Sequence, residues 1–138
     1  MKKIVLTMLS ASFVALLSCQ HDPVAPPSDP VAARILGKWK VLRYEGDYYQ
    51  PMNVLIDHDE YLGLPEDSVV FKSDHTIKSY SAFGEEEFPY VLINDSTITM
   101  DDEPYKIRKL TATEFNLYAE ETDPSTNQRY VDKIFLYR

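Results

Sequence analysis

Short runs in which apolar and polar residues alternate occupy most of the chain after residue 37. Alternation with a period of two puts every second side chain on the same face of an extended strand. The runs are rich in β-branched and aromatic residues, which favour strands. We predict eight strands, at Lys38 to Tyr44, Ser68 to Lys72, Thr76 to Ala82, Glu87 to Ile93, Thr97 to Met100, Tyr105 to Leu110, Glu114 to Ala119 and Arg129 to Tyr137.

The links between these strands are mostly tight turns, such as Ser73-Asp74-His75 and Asn94-Asp95-Ser96, built from residue types that favour turns. Because links this short join only neighbouring antiparallel strands, an up-and-down order follows. The predicted fold is therefore all-β, an eight-stranded antiparallel up-and-down barrel. A β-sandwich of immunoglobulin-like or other type is the alternative.

Two segments lie outside this pattern. Asp29 can cap a short helix that Pro30 begins, and Gly37 can end it because glycine adopts the left-handed conformation freely. The link from Glu45 to Asp67 is long and contains several apolar residues. A long link with its own apolar residues predicts a lid or a partly ordered insertion, within which Val54 to Asp57 could form a short strand or a helical turn.

The N-terminal segment has the pattern of a secretory signal peptide. Lys2 and Lys3 precede an uncharged apolar run from Ile4 to Leu17, which is shorter than the roughly 20 residues of a membrane-spanning helix. The run ends in Leu16-Leu17-Ser18-Cys19, which contains the one cysteine of the chain. This stretch resembles the lipobox of bacterial lipoproteins.

The resemblance implies that the chain is cut before Cys19 and that Cys19 carries a diacylglyceryl group, usually with a further acyl chain such as palmitate. Two or three acyl chains hold a protein stably on a bilayer. Gln20, rather than Asp, follows the cysteine, which in this family favours the outer membrane. We therefore expect a signal peptide at residues 1–18, a lipidated Pro-rich tether at 19–29 and a folded domain at 30–138, facing either the periplasm or the outside.

The charge balance excludes some partners. Removal of residues 1–18 leaves 12 basic and 22 acidic residues, a net charge of −10. A surface this acidic repels phosphate backbones, so we do not expect nucleic-acid binding. With Cys19 acylated, no disulfide is available and the hydrophobic core must hold the fold.

The folded domain resembles the lipocalin-like domains of bacterial lipoproteins. The residues that carry the likeness are Gly37-Lys38-Trp39, which open the first predicted strand directly after a short helix. In lipocalins, the Trp of Gly-x-Trp closes one end of the barrel and a basic side chain lies across its indole. The resemblance implies this role for Trp39, with Arg138, Arg129 or Lys133 as the cation.

The aromatic residues of the strands are the candidate ligand-binding residues. In a barrel they either line an apolar cavity or fill the interior as a packed core. The candidates are Trp39, Phe71, Tyr90, Phe115 and Phe135, with Val41 and Leu117 as further interior positions and Tyr48, Tyr49 and Tyr61 as residues that could cap the mouth.

Catalytic and metal-binding patterns are weak. No serine lies in Gly-x-Ser-x-Gly, and neither His58 nor His75 has an identifiable catalytic partner. Asp57-His58-Asp59-Glu60 combines carboxylates with an imidazole, but successive strand residues point to opposite faces, so we interpret it as a solvated acidic loop. We expect no enzymatic activity, no cofactor and no metal site.

The sequence thus favours a lipid-anchored, lipocalin-like binding protein that holds a small apolar or amphipathic ligand at the cell envelope. The alternative is a filled barrel that acts as a protein-interaction module on the outer membrane. A cavity favours the first function. A plugged interior with an exposed aromatic patch favours the second.

Overall fold

The structure, a computed structural model, describes residues 30–138. The predicted signal peptide and tether, with Cys19 and the capping residue Asp29, lie outside the described residues. The elements are helix α1 (Val31–Ile35), strand β1 (Gly37–Gln50), a short 3-10 helix (Pro51–Asn53), and strands β2 (Val54–Leu62), β3 (Ser68–Phe71), β4 (Thr76–Ser81), β5 (Gly84–Asn94), β6 (Thr97–Met100), β7 (Glu103–Leu110), β8 (Glu114–Thr122) and β9 (Arg129–Tyr137).

Strand β1 closes the sheet into a barrel. It pairs with β3 from Gly37 to Lys40 and with β9 from Lys40 to Tyr49, while β3 to β9 pair in chain order. All of these pairs are antiparallel. The predicted eight-stranded antiparallel up-and-down barrel with a short N-terminal helix is confirmed.

The prediction of a lid or insertion from Glu45 to Asp67 was wrong, whereas the short strand considered at Val54 to Asp57 is the start of a longer one. Instead of a lid or insertion, the segment forms a β-hairpin in which β1 continues to Gln50 and pairs with a ninth strand, β2. The stretch Asp57-His58-Asp59-Glu60 therefore lies in a strand, not in a loop. Strand β2 is exposed along its whole length and so lacks the apolar alternation that marks a half-buried strand.

The barrel has a closed end, at which α1 lies, and an opposite open end. Gly37 has φ +98° at the junction of α1 and β1, as the predicted helix stop requires. The Trp39 indole N–H donates to the carbonyl of Ile35 at 2.8 Å. The guanidinium of Arg138, one of the three basic residues considered for this position, lies over the indole ring.

The interior next to the closed end is filled with aromatic side chains. We call the cluster of Trp39, Phe71, Tyr90 and Phe115 the aromatic floor; each is at most 4% exposed. The ring centres of Phe115 lie 5.4 Å from Trp39 and 5.5 Å from Phe71, and those of Phe71 and Tyr90 are 5.4 Å apart. These tilted and edge-on contacts are the favoured geometries of aromatic pairs.

Candidate functional site

Two adjoining clefts lie at the open end of the barrel, and we call them together the mouth groove. Their volumes are about 310 and 300 Å³, and Tyr130 and Asp132 line both. The first cleft is also lined by Asp102, Glu103, Pro104, Ala119, Glu120 and Glu121. The second is also lined by Tyr44, Gly46, Asp47, Tyr48, Asp57 and Asp59. Each cleft is at the lower end of the size range of small-molecule sites.

A β-bulge in β1 determines which side chains reach the groove. Trp39 and Val41 face the interior, and simple alternation would bring Arg43 there next. The register with β9 shifts between Val41 and Arg43, so that Val41 lies opposite Leu136 and Tyr44 lies opposite Ile134. Since Leu136 and Ile134 pack in the core, Tyr44 faces inward and Arg43 faces outward.

Tyrosines form the apolar wall of the groove. The rings of Tyr48 and Tyr130 stack, with centres 4.6 Å apart and planes 26° apart. The Tyr44 hydroxyl donates to Asp132 Oδ1 at 2.6 Å. Tyr130 is 46% exposed, so its ring is accessible from solvent. The groove therefore combines flat aromatic faces with a carboxylate held in a fixed orientation.

The groove is strongly acidic. Among the described residues that line its two clefts, none is a Lys or an Arg. Asp47 and Glu120 contact cations on the outer face of the sheet. The acids left for the groove are Asp57, Asp59, Asp102, Glu103, Glu121 and Asp132.

The pKa values of two tyrosines reflect this environment. Burial, followed by the hydrogen bond to Asp132, raises the pKa of Tyr44 well above its usual value. Burial, followed by the charge of Glu103, raises the pKa of Tyr105 in the same direction. Both hydroxyls are therefore protonated at neutral pH and act as donors towards carboxylates, as Tyr105 does to Glu103 at 3.2 Å.

An ion-pair network on the outer face fixes the hairpin to the barrel. Asp47, only 7% exposed, accepts from His58 Nδ1 at 2.6 Å and from Lys133 Nζ at 2.7 Å. The hydrogen bond from Lys133, then that from His58, lowers the pKa of Asp47. The hydrogen bond to Asp47 raises the pKa of His58. The network joins β1, β2 and β9 and holds the wall of the groove in place.

Four of the five predicted ligand-binding residues lie together in the aromatic floor, and none of the five lines either cleft of the mouth groove. The fifth, Phe135, lies on the outer face of β9, where the Arg43 guanidinium is 4.2 Å from its ring centre. Of the three tyrosines predicted to cap the mouth, Tyr48 lines the groove. Tyr49 packs under Arg129 on the outer face, and Tyr61 donates to Asp67.

Sequence reasoning missed Tyr44, Tyr130, Asp132 and Gly46 as groove residues. Period-two alternation could have found Tyr130 and Asp132, because they share a face of β9 with Ile134 and Leu136. The bulge conceals Tyr44 and Gly46, since counting in twos from Trp39 assigns them to the outer face.

Within residues 30–138, no group of three or more His, Cys, Asp or Glu residues could hold a metal ion. No helix in the same range is long and apolar enough to span a membrane.

A scan against models of known protein families finds no match to this chain, and a search of curated proteins finds none either.

Proposed function

We propose that this chain is a lipid-anchored, lipocalin-like binding protein of the cell envelope that holds a small amphipathic ligand in the mouth groove. The observation that carries the proposal is the groove itself. It places the stacked rings of Tyr48 and Tyr130 next to the carboxylate of Asp132, at the open end of a barrel whose other end is filled.

The lining favours a ligand with a positively charged group and an apolar body. Aromatic faces attract both apolar surface and cations, and carboxylates in a concave site strengthen the attraction for a cation. An anionic ligand, such as a free fatty acid, would meet the six acids without a basic partner among the lining residues.

The proposed anchor gives the site an orientation. We propose that acyl chains on Cys19 attach the protein to the outer membrane through the tether at residues 19–29. Pro30, where the folded domain begins, directly precedes α1 at the closed end. The closed end would then face the bilayer and the groove would open away from it, so that the ligand arrives from the aqueous side.

The ligand proposal can be tested with three molecules that share one skeleton. Phenethylammonium is cationic, phenethyl alcohol is neutral and phenylacetate is anionic. We expect calorimetric titration of the purified full chain, in a nonionic detergent, to give the tightest binding for phenethylammonium and the weakest for phenylacetate. Asp132→Asn should weaken cation binding about tenfold, which is about 1.4 kcal/mol.

The matched control is Glu86→Gln, which neutralises an exposed acid on β5 away from the groove. It should leave binding of all three molecules unchanged. Equal binding of the cation and the anion, or equal weakening by the two substitutions, would contradict the proposal.

The anchor is tested separately with Cys19→Ser. The unsubstituted chain should partition into the detergent phase and yield an N-terminal peptide whose mass includes acyl groups. The variant should lose both properties. An N-terminal cysteine without added acyl mass would contradict the anchor and leave the groove proposal standing.

A further inference from the structure

Strand β2 has a free edge. In the described part of the chain it is the end strand of the sheet and pairs only with β1. All nine of its residues are exposed, including Ile56 at 44% and Leu62 at 64%. A free edge of this length presents unpaired backbone donors and acceptors and is a template for a further strand.

Two hydrogen bonds show which backbone groups point outward. Gly63 N–H donates to the carbonyl of Leu42 on β1 at 3.0 Å. His58 N–H instead donates to the side chain of Asp57, at 3.0 Å, and so points away from β1. Because successive residues of a strand direct their backbone groups to opposite sides, His58, Glu60 and Leu62 present theirs to the free edge.

The acidic charges on this edge favour a partner strand with basic side chains. Asp57, Asp59 and Glu60 lie between the exposed apolar residues Ile56 and Leu62. A second copy of the chain would bring three more acids and the same net negative charge to the interface, so self-pairing opposes like charges. A strand with Lys or Arg at alternate positions is complementary instead.

We propose that the free edge of β2 docks an extended segment of a partner protein, with basic residues at alternate positions flanked by apolar ones. The segment adds a tenth strand by backbone hydrogen bonds at Glu60 and Leu62 and at the His58 carbonyl, since the His58 N–H already donates to Asp57. Its basic side chains share one face of the added strand and pair with Asp57 and Asp59, which share the groove face of β2. This proposal does not require a bound ligand in the mouth groove, although Asp57 and Asp59 also line it.

The probe is a dye-labelled, nine-residue peptide of alternating Val and Lys, titrated with the purified full chain and followed by fluorescence anisotropy. Glu60→Pro removes an outward N–H, which an edge strand tolerates, whereas Glu60→Ala removes the same charge and keeps the N–H. We expect Glu60→Ala to weaken peptide binding about threefold relative to the unsubstituted chain. Glu60→Pro should bind the peptide at least tenfold more weakly than Glu60→Ala. A peptide with Glu in place of Lys should not bind.

Equal affinity of the Ala and Pro variants would overturn the proposal, because it would mean charge attraction without strand pairing. Should Glu60→Pro fail to fold, the unsubstituted chain is tested with a peptide N-methylated at alternate amides, which keeps the charges and blocks pairing; undiminished binding would again overturn it. Self-association in sedimentation that Glu60→Pro abolishes would assign the edge to a second copy and contradict the proposed partner.

Discussion

The guanidinium of Arg138 lies 3.7 Å from the centre of the Trp39 indole ring. It also donates to the carbonyls of Leu36 and Ile35 at the end of α1. One side chain therefore seals the closed end by joining the first strand, the helix and the residue that follows β9. These contacts stabilise the closed end of the barrel.

Replacing Arg138 should destabilise the fold. Arg138→Met removes a cation–π contact worth roughly 0.5–2 kcal/mol and hydrogen bonds worth about 1 kcal/mol each. We expect the free energy of unfolding in urea to fall by about 2–3 kcal/mol. The control is Arg108→Met, because the Arg108 guanidinium lies 4.5 Å from the ring centre of Tyr118 on the outer face. Equal losses in the two variants would contradict this role for Arg138.

Phe115 and Phe135 lie on opposite faces of the barrel wall, the first in the interior and the second on the outside. Phe115 is fully buried against Trp39 and Phe71, so Phe115→Ala should cost about 3–5 kcal/mol of unfolding free energy. Phe135→Ala removes only a partly exposed contact with Arg43 and should cost about 1 kcal/mol. Urea denaturation of both variants checks the assignment. A cost for Phe135→Ala as large as that for Phe115→Ala would place Phe135 in the core.

The hairpin contact between His58 and Asp47 should make stability depend on pH. The raised pKa of His58 means that its protonated form stabilises the fold. The contribution is complete below the ordinary pKa of about 6.5 and is lost as the pH rises through the raised value. The thermal midpoint of the unsubstituted chain, relative to that of His58→Gln, should therefore fall as the pH rises above about 6.5.

The control for this pH profile is His75→Asn. Asn tolerates the left-handed backbone that His75 adopts at φ +66°. The fall in thermal midpoint should persist in this variant. The assignment would be contradicted if the pH-dependent fall in thermal midpoint were absent in His75→Asn but present in His58→Gln.

Gly46 offers a steric test of the groove. A Cβ at this position would lie 3.7 Å from Asp132 Oδ1, an ordinary contact, so Gly46→Ala should bind phenethylammonium nearly as well as the unsubstituted chain. The larger side chain in Gly46→Leu should occupy the cleft and weaken binding at least tenfold. Calorimetric titration of the two variants, with matching thermal midpoints as the check on folding, decides the point. Unchanged binding by Gly46→Leu would place the site elsewhere.

Local sequence signals are sufficient to predict the barrel fold. Period-two alternation located the eight barrel strands, and turn chemistry located the links between them. The place of Trp39 at the closed end followed instead from the resemblance of Gly37-Lys38-Trp39 to the Gly-x-Trp of lipocalins. The alternation and turn signals are local, since each depends on residues within one strand or one turn.

The groove could not be predicted because it depends on register. The bulge between Val41 and Arg43 reverses the faces of all later β1 residues, and no residue type in this stretch signals it. The full length of strand β2, beyond the short strand considered at Val54 to Asp57, could not be predicted because its acidic centre has no apolar alternation. Phe135 was assigned to the interior because its aromatic ring suits a core, whereas its place in β9 puts it opposite Arg43 on the outer face.

The most direct test of the account is to locate the ligand. In an NMR titration of the purified full chain with phenethylammonium, the backbone amides of Gly46 and Asp132 should shift. The indole N–H of Trp39, a unique signal because the chain has one tryptophan, should not move. Shifts that appear first at the Trp39 indole and the Phe115 amide, with Gly46 unchanged, would place the ligand inside the barrel and contradict the mouth groove as the site.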